Sequence, residues 1–180
     1  MPSAVVAKMV ADVRAAKRQK PTMAVGIVQD GGKEMWSLVR DGLAKEPTVE
    51  KVFEGIDRYH LLERLAKGLE IVEPDAATRR AQLEIWKRDF DLRDSAIDSV
   101  ELWLRKRYAQ LEPAAAEKLW EHLVYLRNNK DRMRSYVTLR LEGLPVGSGV
   151  AEGAAKSVVR RQDQGSQRVT RDDPLKISGQ

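Results

Sequence analysis

Cysteine is absent from this 180-residue chain, which excludes disulfides and cysteine-based zinc sites. Histidine occurs only twice, at His60 and His122, too few and too far apart along the chain to build a histidine-rich metal cluster. No apolar run approaches the ~20 residues a membrane helix needs, and the amino end does not read as a signal peptide. These absences point to a cytoplasmic bacterial protein with no membrane partner. Charge, in contrast, is plentiful: 33% of residues are charged and 42% hydrophobic, which suits one modest domain with a core. The net charge is +5 and the pI about 9.5. From Arg127 onward eleven basic residues stand against six acidic ones, so the last third carries the whole excess. A DNA backbone would be drawn to such a field, because phosphate contacts supply most non-specific affinity. A basic, partly disordered tail is the other reading of the same charges.

Two stretches carry most of the chemical information. In Leu144-Pro145-Val146-Gly147-Ser148-Gly149-Val150-Ala151-Glu152 a glycine turn opens a helix, with Ser148 as its natural N-cap. Glu152, Lys156 and Val159 then share a helical face. A capped helix with a solvated Glu–Lys pair is the plain alternative. Upstream, the β-branched run Ala24–Gln29 ends in Asp30-Gly31-Gly32, and a helical pattern begins at Lys33. This predicts a strand–turn–helix unit with an acid at the carboxyl end of the strand, where open α/β sheets place ligands; Asp30 as a simple turn residue or cap stays open beside it. A strand-end acid facing a helix-borne acid is also how a hard-cation site is built, since Mg²⁺ takes one or two carboxylates and fills its octahedron with water and phosphate.

Taken together the motifs resemble the DDE-type insertion-sequence transposases, whose catalytic domain is RNase H-like. The likeness rests on Asp30-Gly31 with Trp36, on the stretch Ile56–Leu65 with its Asp57-Arg58-Tyr59-His60, on the stretch Tyr125–Arg134 with its Arg127-Asn128-Asn129, and on Gly147-Ser148-Gly149-Val150-Ala151-Glu152-Gly153. It covers roughly Ala4 to Arg168 and implies that Asp30 and Glu152 are catalytic and ligate Mg²⁺ or Mn²⁺. Asp57 and His60 would be accessory, His60 touching phosphate or metal-bound water, or held structurally by Asp57. Lys156, Arg160 and Arg161 would neutralise DNA phosphate. The implied partners are DNA, both transposon ends and target, and a second copy or a full-length transposase, in a nucleoid-associated setting.

The family's first aspartate has no counterpart here. Only 29 residues precede Asp30, and Ala4–Val13 reads as a helix with Val6, Met9, Val10 and Val13 on one stripe. Asp12, inside that helix on another face, is a poor substitute. The expectation is a carboxyl-terminal fragment that lacks three strands and the first acid, leaving the Ala24–Gln29 strand as an apolar edge beside one partner near Val49–Phe53. Downstream, Val169 stands where the family has a tryptophan.

The expected fold is an α/β remnant, predominantly α-helical, with two short strands and a helical insertion. Residues 1–59 form the partial core, 60–142 the insertion, 143–162 the Glu152 helix and 163–180 a polar, disordered tail. Stripes within the insertion are Leu61, Leu62, Leu65 and Leu69; Leu83, Trp86 and Phe90; Ile97, Val100 and Leu104; and Leu119, Leu123 and Leu126. The last of these helices is expected to begin at Pro113 and end at Asn128-Asn129, with a further one carrying Met133, Tyr136 and Val137 to Gly143. The expected function is that of a transposase fragment, inactive alone in DNA cleavage and strand transfer. A non-catalytic remnant that binds DNA or transposase, and a helical interaction module, are the alternatives.

Overall fold

The computed structural model describes residues 4–30 and 33–147, leaving out the side chains of 33–35. The described chain is mostly helical with two short parallel strands. Its elements are α1 (Ala4–Gln19), β1 (Val25–Gln29), α2 (Lys33–Ala44), β2 (Val52–Ile56), α3 (Arg58–Val72), α4 (Ala76–Leu92), α5 (Ala96–Tyr108), α6 (Pro113–Met133) and α7 (Tyr136–Leu141). Strands β1 and β2 pair in parallel, Val25 opposite Val52 and Gln29 opposite Ile56. Parallel neighbours need a crossover rather than a hairpin, and α2 supplies it.

The sheet is covered on both faces. Val25 and Ile27 are buried, as are Trp36, Val39 and Leu43 of α2, which packs on both strands. The other face carries Val28 and Phe53 but also two glycines, Gly26 and Gly55. A Cβ at Gly55 would sit 2.5 Å from Leu139 Cδ1, and one at Gly26 would sit 3.0 Å from Leu144 Cδ1. The missing side chains let α7 and the turn after it lie directly on the strands. That turn is a Schellman closure: Gly143, at φ +70°, donates to Arg140 O at 3.0 Å and Leu144 donates to Leu139 O at 2.8 Å. Glycine is needed there because the left-handed angle crowds a Cβ.

The helical stripes bury as the spacing predicts. Leu61, Leu65 and Leu69, then Trp86 and Phe90, then Ile97, Val100 and Leu104, then Leu119, Leu123 and Leu126 all enter one continuous core with the strands. Fully burying such a side chain contributes about 1.5–3 kcal/mol. Because α6 and α7 both pack on β2, segments 1–59 and 60–142 share that core.

Polar contacts fix the helices on one another. Asp91 accepts from Arg58 at 2.9 Å and from Arg140 at 2.8 Å, which ties the start of α3 and the end of α7 to α4. Asp94 caps α7 from outside, accepting from Val137 N and Thr138 Oγ1, both at 2.8 Å. Between α5 and α6, Lys130 reaches Asp98 at 2.7 Å and Glu101 at 2.6 Å. Burial pushes the Glu101 carboxyl up, but its bonds to Lys130 and Arg105 outweigh that and leave it below the usual carboxylate range.

Three expectations are corrected. The partner strand is Val52–Ile56 rather than Val49–Phe53. Buried Glu46 accepts from Arg14 Nε at 2.6 Å and Thr48 Oγ1 at 3.0 Å, and Val49 N donates to Glu46 O, which holds Val49 in a turn. Helix α6 does not stop at Asn128-Asn129. Asn129 donates from its side chain to Tyr125 O at 3.0 Å and is buried, so its amide joins the helix instead of competing with it. Met133, fully buried, therefore ends α6 and does not begin α7. Finally, Met9 is 45% exposed whereas Val6 is fully buried; the buried stripe of α1 is narrower than its spacing suggests.

The Gly55–Leu139 approach gives a test. Gly55→Ala should lose about 1–3 kcal/mol in denaturant unfolding, the usual cost of overpacking. Adding Leu139→Ala should cost less than the two single losses together, because it relieves the same contact.

Candidate functional site

The carboxyl ends of the two strands bring together two of the acids singled out in the sequence, Asp30 and the accessory Asp57. Asp57 N donates to Gln29 O at 2.8 Å, which carries the ladder one residue beyond β2. The same register continued sets Asp30 beside Asp57. Tyr125 of α6 donates its hydroxyl to Asp30 O at 3.0 Å, and Tyr136 of α7 donates to Ile56 O at 2.9 Å. A phenol from the helical half thus closes each strand end. Burial pushes the Tyr125 hydroxyl above its ordinary pKa, and the Asp30 and Asp57 charges push the same way against Arg64. Tyr136, more deeply buried, is raised further by the same cause.

Asp57 is 2% exposed and serves as the N-cap of α3, accepting from Tyr59 N at 2.8 Å and His60 N at 3.4 Å. This cap satisfies amides that the first helical turn leaves without partners. His60 follows on the same turn, with its ring Nδ1 3.8 Å from Glu63 Oε2. Its link to Asp57 runs through the backbone amide. Asp30 is exposed.

The segment after α7 returns to this edge. Leu144 covers Gly26, Val146 O accepts from Arg58 N at 2.9 Å, and a Cβ on Gly147 would lie 3.6 Å from Asp57 Oδ1. The described chain ends there. Glu152, Lys156, Arg160 and Arg161, with the expected Glu152 helix and polar tail, lie outside the described residues.

Around Asp30 is a polar cavity of about 270 Å³ lined by Asp30, His60, Glu63, Arg64, Lys67 and Tyr125. Four of these sit at i, i+3, i+4 and i+7 of α3, so one helix face delivers them. Glu63 accepts from Lys67 at 2.8 Å. Arg64 stacks over the Tyr125 ring at 4.8 Å. Sequence reasoning named His60 and missed Arg64, Lys67 and Tyr125. The α3 spacing from His60 was the available signal for the first two; nothing local marks Tyr125, which approaches Asp30 from 95 residues away.

The fit to a divalent cation is partial. Carboxylate oxygen suits Mg²⁺, and Asp30 offers one exposed group, but Asp57 Oδ1 already holds the α3 amides. Among the described residues no group of three or more His, Asp or Glu side chains could hold a metal ion. No described helix is long and apolar enough to cross a membrane.

No family model, curated protein or solved structure matches this chain.

The cap and any chemical role of Asp57 separate by substitution. Asp57→Ala should destabilise the protein by about 0.5–2 kcal/mol in thermal or denaturant unfolding, whereas Asp57→Asn, also a good cap, should keep most of that stability. Equal losses would mean that the charge, rather than the cap bond, matters there.

Proposed function

We propose that this chain belongs to a DDE-type transposase catalytic domain of RNase H-like fold, one that engages DNA through its basic residues after Glu152 and does not cut it unaided. One observation carries the reading. The stretch leading into Gly147-Ser148-Gly149 is pinned at the carboxyl ends of the strands, by Val146 O on Arg58 N and by Gly147 against Asp57. The parallel β–α–β unit with Asp30 at a strand end, followed by an almost all-helical stretch, agrees with it.

In this reading Asp30 and Glu152 supply oxygens to Mg²⁺ or Mn²⁺. Such an ion, when bound, lowers the pKa of attacking water and offsets charge on phosphate oxygens. Lys156, Arg160 and Arg161 meet the DNA phosphates. His60 lies within reach of the same cavity, and Asp57 orders the α3 start that carries it. The whole enzyme would cleave a phosphodiester with water and then join the freed 3′-hydroxyl to target DNA. A bridging first aspartate is missing from this pair of acids, so the polypeptide alone holds an ion weakly and does not complete strand transfer.

A second reading, a non-catalytic remnant that binds DNA or transposase, is favoured by the shortage of metal ligands among the described residues. Mn²⁺ binding followed by paramagnetic resonance distinguishes the two. One weakly held ion, lost in both Asp30→Asn and Glu152→Gln, is the expected result. Binding that neither substitution changes would leave only the remnant. Duplex DNA should bind in a salt-sensitive manner, weakened about tenfold by Arg160→Ala with Arg161→Ala; Mg²⁺-dependent nicking that Glu152→Ala abolishes would overturn the claim that the chain is incompetent alone.

A further inference from the structure

The cavity beside Asp30 has a donor that the other described residues do not use. Several arginines on these helices are committed, Arg58 and Arg140 to Asp91, Arg132 to Glu54, Arg134 to Asp98; Arg107 and Arg127 lie over tryptophan rings, but outside this cavity. Arg64, exposed, has no carboxylate or carbonyl acceptor among the described residues, while its guanidinium is stacked on Tyr125 at 4.8 Å. A cation–π contact holds the guanidinium in place without consuming an N–H, so its donors stay available. Lys67 stands one turn along α3, paired with Glu63 at 2.8 Å, an exposed bond that stabilises only weakly and exchanges readily. Across the groove His122 of α6 packs against Gly68, where a Cβ would be 3.9 Å from His122 Cγ. Its Nδ1 is buried and has no hydrogen-bond partner among the described residues. Between α3 and α6 the groove thus holds Tyr125, Arg64 and Lys67 beside Asp30, with His122 packed next to it.

We propose that this groove seats a backbone phosphate of a nucleic-acid strand, with Arg64 as a bidentate donor and Lys67, one helical turn further along α3, as a second cation, in the cavity that Asp30 also lines. The inference rests on the nucleic-acid reading above and gives it a path that does not involve Lys156, Arg160 or Arg161. Planar, forked recognition of a phosphate is what guanidinium does better than ammonium. Glu63 is the built-in competitor: it holds Lys67 until a phosphate replaces it. Asp30 opposes the anion unless its own charge is offset, so the groove favours a strand over a free phosphate, whose binding nothing else supports.

The two histidines are the reporters, the only ones in the chain: His60 lines the cavity and His122 feels the charges of Arg64 and Lys67. Imidazole resonances of the full chain are followed during titration with a short oligothymidylate and, separately, with inorganic phosphate, in low salt without divalent cation. Both histidines should shift with the oligonucleotide. Arg64→Gln should weaken its affinity about tenfold, the worth of a charged hydrogen bond; Arg64→Lys should recover part of that, and Lys67→Gln should lose less. Asp30→Asn should tighten binding under these conditions, a sign that a merely structural role for Asp30 does not give. Oligonucleotide binding that leaves the histidines unmoved, or that Arg64→Gln does not weaken, overturns the groove and leaves the transposase reading standing. A response to inorganic phosphate alone overturns the strand assignment, and no response to either ligand overturns the proposal. Histidine shifts that depend on Arg64, in a protein whose Mn²⁺ binding ignores Asp30→Asn and Glu152→Gln, keep the groove and remove the transposase.

Discussion

The contact of Leu139 with Gly55 governs the arrangement. A side chain at that strand position would collide with Leu139 at 2.5 Å, so the sheet gives up one residue's worth of burial and gains a helix laid flat against it. Gly26 repeats the device for Leu144. Glycine in a strand ordinarily weakens it, through entropy and lost packing. Here two glycines, one on each of the paired strands, mark where another part of the chain comes close. The two-stranded sheet would be marginal alone; α2 on one face and α7 on the other make it part of a core.

That approach sets the direction of everything after it. The left-handed turn at Gly143 reverses the chain onto the sheet, and Val146 then closes on the first amide of α3. The strand ends, the α3 cap and the run into the Gly-Ser-Gly motif therefore meet at one edge. The acids there have different work. Asp57 is buried and occupied by amides, while Asp30 is exposed and borders a polar cavity. Two carboxylates at neighbouring strand ends are thus separated by environment, one buried in a helix cap and the other exposed beside a polar cavity.

Much of the fold could be read from the chain because its signals are local. Leucine and tryptophan spacing placed the helices, Pro113 marked the start of α6, and β-branched residues ending in Asp-Gly-Gly marked β1. What failed to show was decided by partners distant in sequence. Val49 looked like strand until Glu46 and Arg14 held it in a turn. Asn128-Asn129 looked like a stop signal, yet Asn129 is buried and bonded within the helix. The cavity was half legible: His60 led to α3, but Tyr125 reaches Asp30 from α6, and no periodicity announces a contact over 95 residues. Glu152 and the basic residues after it rest on motif alone.

The phenols that close the strands have one more effect. Tyr125 and Tyr136 each bond a strand-end carbonyl from a helix anchored in the core. Loosening either end must extract a ring from its packing as well as break a hydrogen bond. Fraying, which usually begins at the tips of short strands, is thereby tied to the melting of α6 and α7. Amide protons at this edge should exchange through openings close in free energy to global unfolding, so Asp30 and Asp57 keep their spacing until the whole domain gives way.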